Sequence, residues 1–202
     1  MPKTIVAIVG TYRKAGVTDT AVDEILKAAQ AAGIQTSKIY LIDKHIEFCT
    51  NCRTCTQQPG PTRGACPLND DMAEILDRLD AADALVIASP INFFNVTAVT
   101  RKFLERLLVY ACWPWGSTIP KFRITKPVKK AVLVTSSGAP AFIGKIFFRP
   151  ALGALKAIAQ CLGAKVIARL YFGMVAQHPD STLNPKQLTS AYAAGLKLAQ
   201  SI

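Results

Sequence analysis

The 202-residue chain reads as an α/β protein, a three-layer α/β/α sandwich on a five-stranded parallel sheet. Three observations predict it. Five short strand-like runs alternate with five stretches of helical period. Lys3–Val9, Ala84–Ala88 and Ala131–Thr135 lack the polar alternation of a half-exposed strand and read as strands buried on both faces, as parallel strands are. The loops leaving three of the strands are rich in hydroxyls and small residues, as suits ligand loops at the carboxyl edge of such a sheet. No repeat, low-complexity segment or long linker divides the chain. Residues 1–202 are therefore expected to form a single domain, with 48–70 as a cysteine-rich insertion loop.

In chain order, Lys3–Val9 (KTIVAIV) is the first strand and stops at Gly10. The polar loop Gly10–Thr18 ends in cap-forming residues. Thr18–Ala32 then places Val22, Ile25, Leu26 and Ala29 on one stripe, and Gly33 stops the helix. Gln35–Asp43 is the second strand. Asp70–Leu79 is a helix with Met72, Ile75, Leu76 and Leu79 inward, and Ala84–Ala88 (ALVIA) is the third strand. Ser89–Thr97 is a loop and Ala98–Tyr110 a helix. Cys112–Val128 is irregular, with Trp113, Trp115 and three prolines. Ala131–Thr135 is the fourth strand, Pro150–Leu162 a helix, Lys165–Phe172 the fifth strand and Asn184–Gln200 the last helix.

Half of the residues are hydrophobic, enough for a full core at this length. The formal charge of +11 favours anionic partners such as phosphorylated cofactors or an acidic protein. No run reaches the ~18–20 apolar residues of a transmembrane helix, and no secretory signal precedes the first strand. A cytoplasmic location without membrane insertion is expected. There, the six cysteines should be reduced, metal-bound or catalytic rather than paired in disulfides. No nucleic-acid motif or basic helical stripe stands out.

Three strand-end loops form the candidate site. Gly10–Thr18 lacks both the Lys-Ser/Thr ending of a P-loop and a Gly-x-Gly-x-x-Gly pattern. It offers the hydroxyls of Thr11 and Thr18, the guanidinium of Arg13 and the amides of a helix start, a set that suits a phosphate monoester. Alternatively it is an ordinary turn in which Thr18 caps the helix. Ser89–Thr97 supplies amide side chains at Asn92 and Asn95 and two aromatics, Phe93 and Phe94, that need an apolar surface. A flat ring system would provide one, as would the core or a subunit interface. Thr135–Gly138, with Ser136, Ser137 and Gly138, is the third loop.

Gly10-Thr11-Tyr12-Arg13-Lys14-Ala15-Gly16-Val17-Thr18 is similar to the phosphate loop of the NADPH-dependent FMN reductases and related flavodoxin-like flavoproteins. Ser89-Pro90-Ile91-Asn92-Phe93-Phe94-Asn95-Val96-Thr97 resembles their isoalloxazine loop, followed by the helix pattern Lys102-Phe103-Leu104-Glu105-Arg106. The cysteine stretch ending in Asp70-Asp71-Met72 resembles a branch that includes the iron–sulfur flavoproteins. The resemblance implies a flavodoxin-like fold and FMN held non-covalently. Thr11, Arg13, Val17 and Thr18 would take the phosphate, Pro90, Ile91, Asn92, Phe93, Phe94, Asn95 and Val96 the ring, and Ser136, Ser137 and Gly138 its other edge. Two positions depart from the family pattern: Val17 replaces a common Asn, and Asn92 replaces a common aromatic. NAD(P)H would donate hydride to the flavin, which carries the chemistry without a catalytic side chain. The acceptor would be a small molecule or a redox protein, and relatives suggest a homodimer or homotetramer. A flavodoxin-like electron carrier, or a metal-binding module with a vacant flavin fold, is the alternative.

Phe48–Met72 holds Cys49, Cys52, Cys55 and Cys66 in a C-x2-C-x2-C-x10-C pattern. Three thiols from one tight loop and a fourth returning past Pro59, Gly60, Pro61 and Gly64 suit a [4Fe–4S] cluster. Zinc or free, redox-active thiols remain open readings. The loop is expected to lie beside the flavin. Cys112 and Cys161 read as structural, and His45 and His178 as surface or hydrogen-bonded histidines. Trp113–Lys130 reads as a solvated basic loop, a docking place for an acidic redox partner or an adenosine phosphate, or part of a dimer interface.

Overall fold

The computed structural model describes residues 2–202. In chain order the first half runs β1 (Thr4–Val9), α1 (Val17–Ala31), β2 (Gln35–Tyr40), α2 (Met72–Ala81), β3 (Ala84–Ala88), β4 (Ile91–Asn92), β5 (Asn95–Val96) and α3 (Ala98–Arg106). The second half runs β6 (Ala111–Cys112), β7 (Lys121–Phe122), β8 (Lys129–Ser136), α4 (Ala141–Phe147), α5 (Arg149–Cys161), β9 (Ala164–Phe172) and α6 (Pro185–Ala199). The main sheet is wholly parallel, in the order β2-β1-β3-β8-β9. This is the flavodoxin-like doubly wound order, which reverses direction between β1 and β3.

The strict alternation of a strand divides the core in two. Val6 and Ile8 of β1, Leu85 and Ile87 of β3 and Leu133 of β8 face α2, α3 and α5. Ile5, Ala7 and Val9, Val86 and Ala88, and Val132 and Val134 face α1 and α6. Buried β-branched strands with no polar face are thereby accounted for.

Several expectations shift. The second strand ends at Tyr40, and Leu41–Asp43 turns into a single 3-10 turn. There the chain leaves the sheet edge and no neighbour continues the ladder. The second helix starts at Met72 rather than Asp70, because the Asp70 carboxylate is used instead to accept from the Met72 amide. The third helix tightens to a 3-10 turn over Leu107–Tyr110. Asn184 caps α6 in a capping box with Gln187. Within Ser89–Thr97 lies a hairpin, β4–β5, and within Cys112–Val128 a second, β6–β7. A sixth helix, α4, stands where no element was expected.

Candidate functional site

The three strand-end loops meet at the switch point beyond β1 and β3. A cavity of about 170 Å3 opens there. From the first loop it is lined by Thr11, Arg13, Val17 and Thr18. Pro90 and Ile91 form a second wall, and Ser136, Ser137 and Gly138 a third. Val175, Ala176 and Ser181, from the segment after β9, complete it.

The local chemistry favours an anion. Gly16 precedes α1 and no side chain caps the helix, so its first amides have no intrahelical acceptor. The helix dipole adds positive potential at that point. Arg13 supplies a full charge, and its Nη2 is anchored 2.5 Å from the Pro179 carbonyl. Thr11 Oγ1 accepts from the Arg13 amide at 3.1 Å, which bends the loop around the cavity. Thr18 Oγ1 lies 2.8 Å from Ser136 Oγ and joins the first loop to the third. Thr18 is therefore not the helix cap. No carboxylate lines the cavity. The nearest acid in sequence, Asp19, is buried beneath the loop and accepts from the Ala15 amide at 2.8 Å. Its charge is met by Lys38 at 2.6 Å and by the Tyr40 hydroxyl at 3.0 Å. Burial would lower the Lys38 ammonium, but its contacts with Asp19, Asp23 and Tyr40 raise it on balance, so the ammonium stays charged.

Beneath the cavity a set of buried hydroxyls ties the strand ends together. Thr97 Oγ1 donates to the Gly10 carbonyl at 2.5 Å and lies 2.8 Å from Thr100 Oγ1. Thr97 N donates to Ser89 Oγ at 3.2 Å, and Thr135 Oγ1 donates to the Ser89 carbonyl at 2.8 Å. Gly10 is required here: a Cβ would stand 1.8 Å from Thr100 Oγ1. Thr135 belongs to the third strand-end loop, while Thr100 had no signal in the sequence, because a single threonine in a helix carries no pattern. Val175, Ala176 and Ser181 were missed for the same reason.

The rest of the second loop stands outside the cavity. Ile91 pairs with Val96 and Asn92 with Asn95, leaving Phe93 and Phe94 as a two-residue turn. Both have positive φ, 44° and 68°. They are 93% and 60% exposed, so neither folds back onto the core. Val96 is buried in the core instead, and Asn95 Oδ1 accepts from its amide at 2.9 Å.

The cysteine loop stands apart from this cavity. No residue of 48–70 lines the cavity. The loop packs at the far end of α3, where Arg106 Nη1 donates to the Glu47 carbonyl at 2.9 Å and Nη2 reaches Cys66 Sγ at 3.4 Å. Arg53 is stacked between Trp113 and Trp115, 3.7 and 4.1 Å from their ring centres. The tryptophans thus back the cysteine loop, and Trp115 keeps 67% of its surface exposed. Burial and the neighbouring Cys66, Cys49 and Cys52 push the Cys55 thiol up to about 11. The four thiols are grouped around Cys55, and their chemistry suits iron or zinc. Their spacing does not: among the described residues no three His, Cys, Asp or Glu stand close enough to share a metal ion. His45 is exposed and 2.9 Å from Glu47 Oε1.

A larger cavity, about 650 Å3, lies between the cysteine loop and α2. Its charged groups are spent on one another. Arg63 pairs with Asp77 and Asp80, and the Tyr110 hydroxyl donates to Asp80 at 2.7 Å. The smaller cavity has the uncapped start of α1 and no carboxylate to neutralise Arg13, and is the better candidate.

The chain is similar to several known proteins. An iron-sulfur flavoprotein from Archaeoglobus fulgidus is 35% identical over 109 residues, 54% of this chain and 47% of that protein. One from Methanocaldococcus jannaschii is 34% identical over 102 residues, 50% of each chain. The matched region thus spans about half the length of these relatives. Among solved structures, an NAD(P)H:quinone oxidoreductase from Methanothermobacter marburgensis superposes with a TM-score of 0.71 at 18% identity, covering 98% of this chain and 96% of that one. An FMN-dependent NADH-azoreductase from Bacillus anthracis superposes at 0.67 with 15% identity, covering 98% and 99%. At these identities the likeness is one of fold. The family model described as NADPH-dependent FMN reductase matches residues 3–178, so the anion-ready loops at the switch point are those of a chain that belongs to that family.

Proposed function

We propose that this protein is an FMN-dependent oxidoreductase that draws electrons from NAD(P)H and passes them to a small acceptor or a redox partner. The observation that carries the reading is the uncapped start of α1, with Arg13, Thr11 and Thr18 around it and no carboxylate in the lining. That donor set fits a dianionic phosphate. The cavity is large enough for the phosphate end of FMN but not for its ring. The ring would lie outside, along Pro90, Ile91 and Asn92, with Phe93 and Phe94 beside it and Ser136, Ser137 and Gly138 at its other edge. Bound FMN would supply one- and two-electron transfer. The lining holds no carboxylate or imidazole, so these residues bind, orient and exclude water rather than move protons.

Cys49, Cys52, Cys55 and Cys66 would hold a [4Fe–4S] cluster, which would supply one-electron transfer. The names of the curated relatives and the four-thiol donor set support this, and loading would require the loop to close around the metal. The exposed aromatics Phe93, Phe94, Phe142 and Phe147 support a homodimer or homotetramer. Reduced thiols and the absence of a long apolar helix among the described residues support a cytoplasmic location.

The test is spectroscopic. Purified protein with added FMN should show bound flavin and should oxidise NADPH or NADH. Arg13→Ala should weaken FMN binding about tenfold to a hundredfold, the cost of ~1.5–3 kcal/mol for a charged hydrogen bond. A protein that takes up no FMN would sink the reading. Iron and acid-labile sulfide assays on anaerobically purified protein test the cluster separately.

A further inference from the structure

The net positive charge of the chain resides in its second half. Residues 106–202 carry thirteen Lys and Arg against one acid, Asp180, while residues 1–105 carry eleven against twelve. In the first half cations are paired, as Lys38 with Asp19 and Arg63 with Asp80, and that half's Asp70 also takes Arg106 from the second. The second half lacks the acids to do this, and the fold gathers part of the excess in one place. Lys145 from α4, Arg149 and Lys156 from α5, and Arg169 from β9 line a single groove of about 490 Å3. No acidic side chain lines it. Among the described residues none of the four cations makes an ion pair or a side-chain hydrogen bond.

Four like charges around one concavity repel each other and disfavour the compact state, unless an anion balances them. The groove is also amphipathic. Leu133 and Leu155 are buried at its floor, and Leu152 and Leu170 extend the apolar surface. Its volume lies within the ~300–1,000 Å3 typical of small-molecule sites. At the inner end stands Tyr171, whose hydroxyl is 2.6 Å from Ser137 Oγ. Ser137 lines the cavity at the start of α1, so the two concavities share a wall.

The geometry points to a second ligand site, between α4, α5 and β9, for a small molecule with an apolar body and at least two phosphate charges: the chemistry of a nucleoside diphosphate. The apolar floor receives the body, and the guanidinium and ammonium groups grip the phosphates from three elements. Such chemistry has two sources, the nucleotide half of the electron donor or a separate phosphorylated effector.

The experiment is calorimetric titration of the FMN-loaded protein with ADP, inorganic pyrophosphate and orthophosphate at fixed salt. ADP and pyrophosphate should bind, and orthophosphate more weakly. Lys156→Glu/Arg169→Glu, both on exposed positions, should lower ADP affinity about a hundredfold and leave FMN affinity unchanged. Lys145→Gln/Lys156→Gln should lower it by less. The site is overturned by any of three results. These are no ADP binding, undiminished binding in both variants, or equal weak binding of ADP and orthophosphate that reports diffuse charge only. FMN uptake is measured independently, so a failure of the flavin reading is distinguishable. In the activity arm, which rests on that reading, ADP competing with NADPH assigns the groove to the donor. ADP binding without competition assigns it to a separate ligand.

Discussion

Arg106 and Asp70 meet with only 2% and 1% of their side chains exposed. A buried ion pair adds little net stability over an apolar pair, but removing one partner strands the other charge. Here the guanidinium holds both ends of the cysteine loop, at the Glu47 carbonyl and at Cys66 Sγ. Asp70→Asn should therefore cost ~3–5 kcal/mol in chemical denaturation and loosen the loop. The pH dependence has a defined sign. Burial alone would raise the Asp70 carboxyl, but the Arg106 hydrogen bond and the Glu47 and Met72 amides hold it below the ordinary carboxylate range. A depressed folded pKa gives stability that is present above the unfolded value, near ~4, and is lost as pH falls through the folded one. Melting temperature should thus drop on acidification below about pH 4, and Asp70→Asn should flatten that limb. The sequence marked Asp70 only as a helix start. Its partner stands 36 residues away, and no local pattern reports such a contact. Gly10 makes the same point at the candidate site. Gly10→Ala would drive a Cβ into Thr100 Oγ1 and break the Gly10–Thr97–Thr100 contacts. Overpacking of this kind costs ~1–3 kcal/mol, visible as a lower urea midpoint, and FMN uptake should weaken with it.

The elements that the sequence revealed are those whose burial follows a period. β1, β3 and β8 are apolar on both faces, and α1, α5 and α6 each bury one stripe, so their positions were legible to within a residue or two. The β4–β5 hairpin and α4 were not, for opposite reasons. A two-residue hairpin turn with both φ positive favours Asn-Gly, and Phe93-Phe94 contradicts that chemistry. Helix α4 is short and leaves Phe142, Ile146 and Phe147 exposed, so it has no buried stripe to show. Its placement depends on Gly144, where a Cβ would lie 1.9 Å from the Tyr171 hydroxyl. A bulky residue in the left-handed region costs ~1–2 kcal/mol. Phe93→Asn/Phe94→Gly should accordingly stabilise the isolated chain by roughly 1–3 kcal/mol in denaturant titration. The same change should weaken flavin binding or self-association, since the aromatics are what the strained turn presents. Stabilisation with both functions intact would leave the strain without a purpose.

At the scale of the molecule, the sheet and its carboxyl-edge loops followed from alternation of pattern, while the surface did not. Trp113 and Trp115 stack on Arg53 with Trp115 still 67% exposed, and further open apolar surface lies on α4 and the β4–β5 turn. Phe94 packs 5.8 Å from Phe148, the residue between α4 and α5, so the hairpin touches that junction. Large side chains scattered singly on a surface need no explanation, but Phe93 and Phe94 share one turn and Phe142, Ile146 and Phe147 one short helix, and all five are exposed. Water contact with such side chains is costly at ~25 cal/mol per Å2 of apolar area, and a second copy of the chain offers the same aromatic chemistry in return. The excess positive charge opposes association at long range, so self-association should strengthen as salt screens it. Sedimentation velocity at rising sodium chloride should therefore show the wild type shifting from monomer towards a larger species. Phe142→Ser/Phe147→Ser should hold it at the monomer without altering FMN affinity at the α1 cavity, whose lining excludes both residues. A wild type that sediments as a monomer at every salt concentration would show that the patch serves another contact.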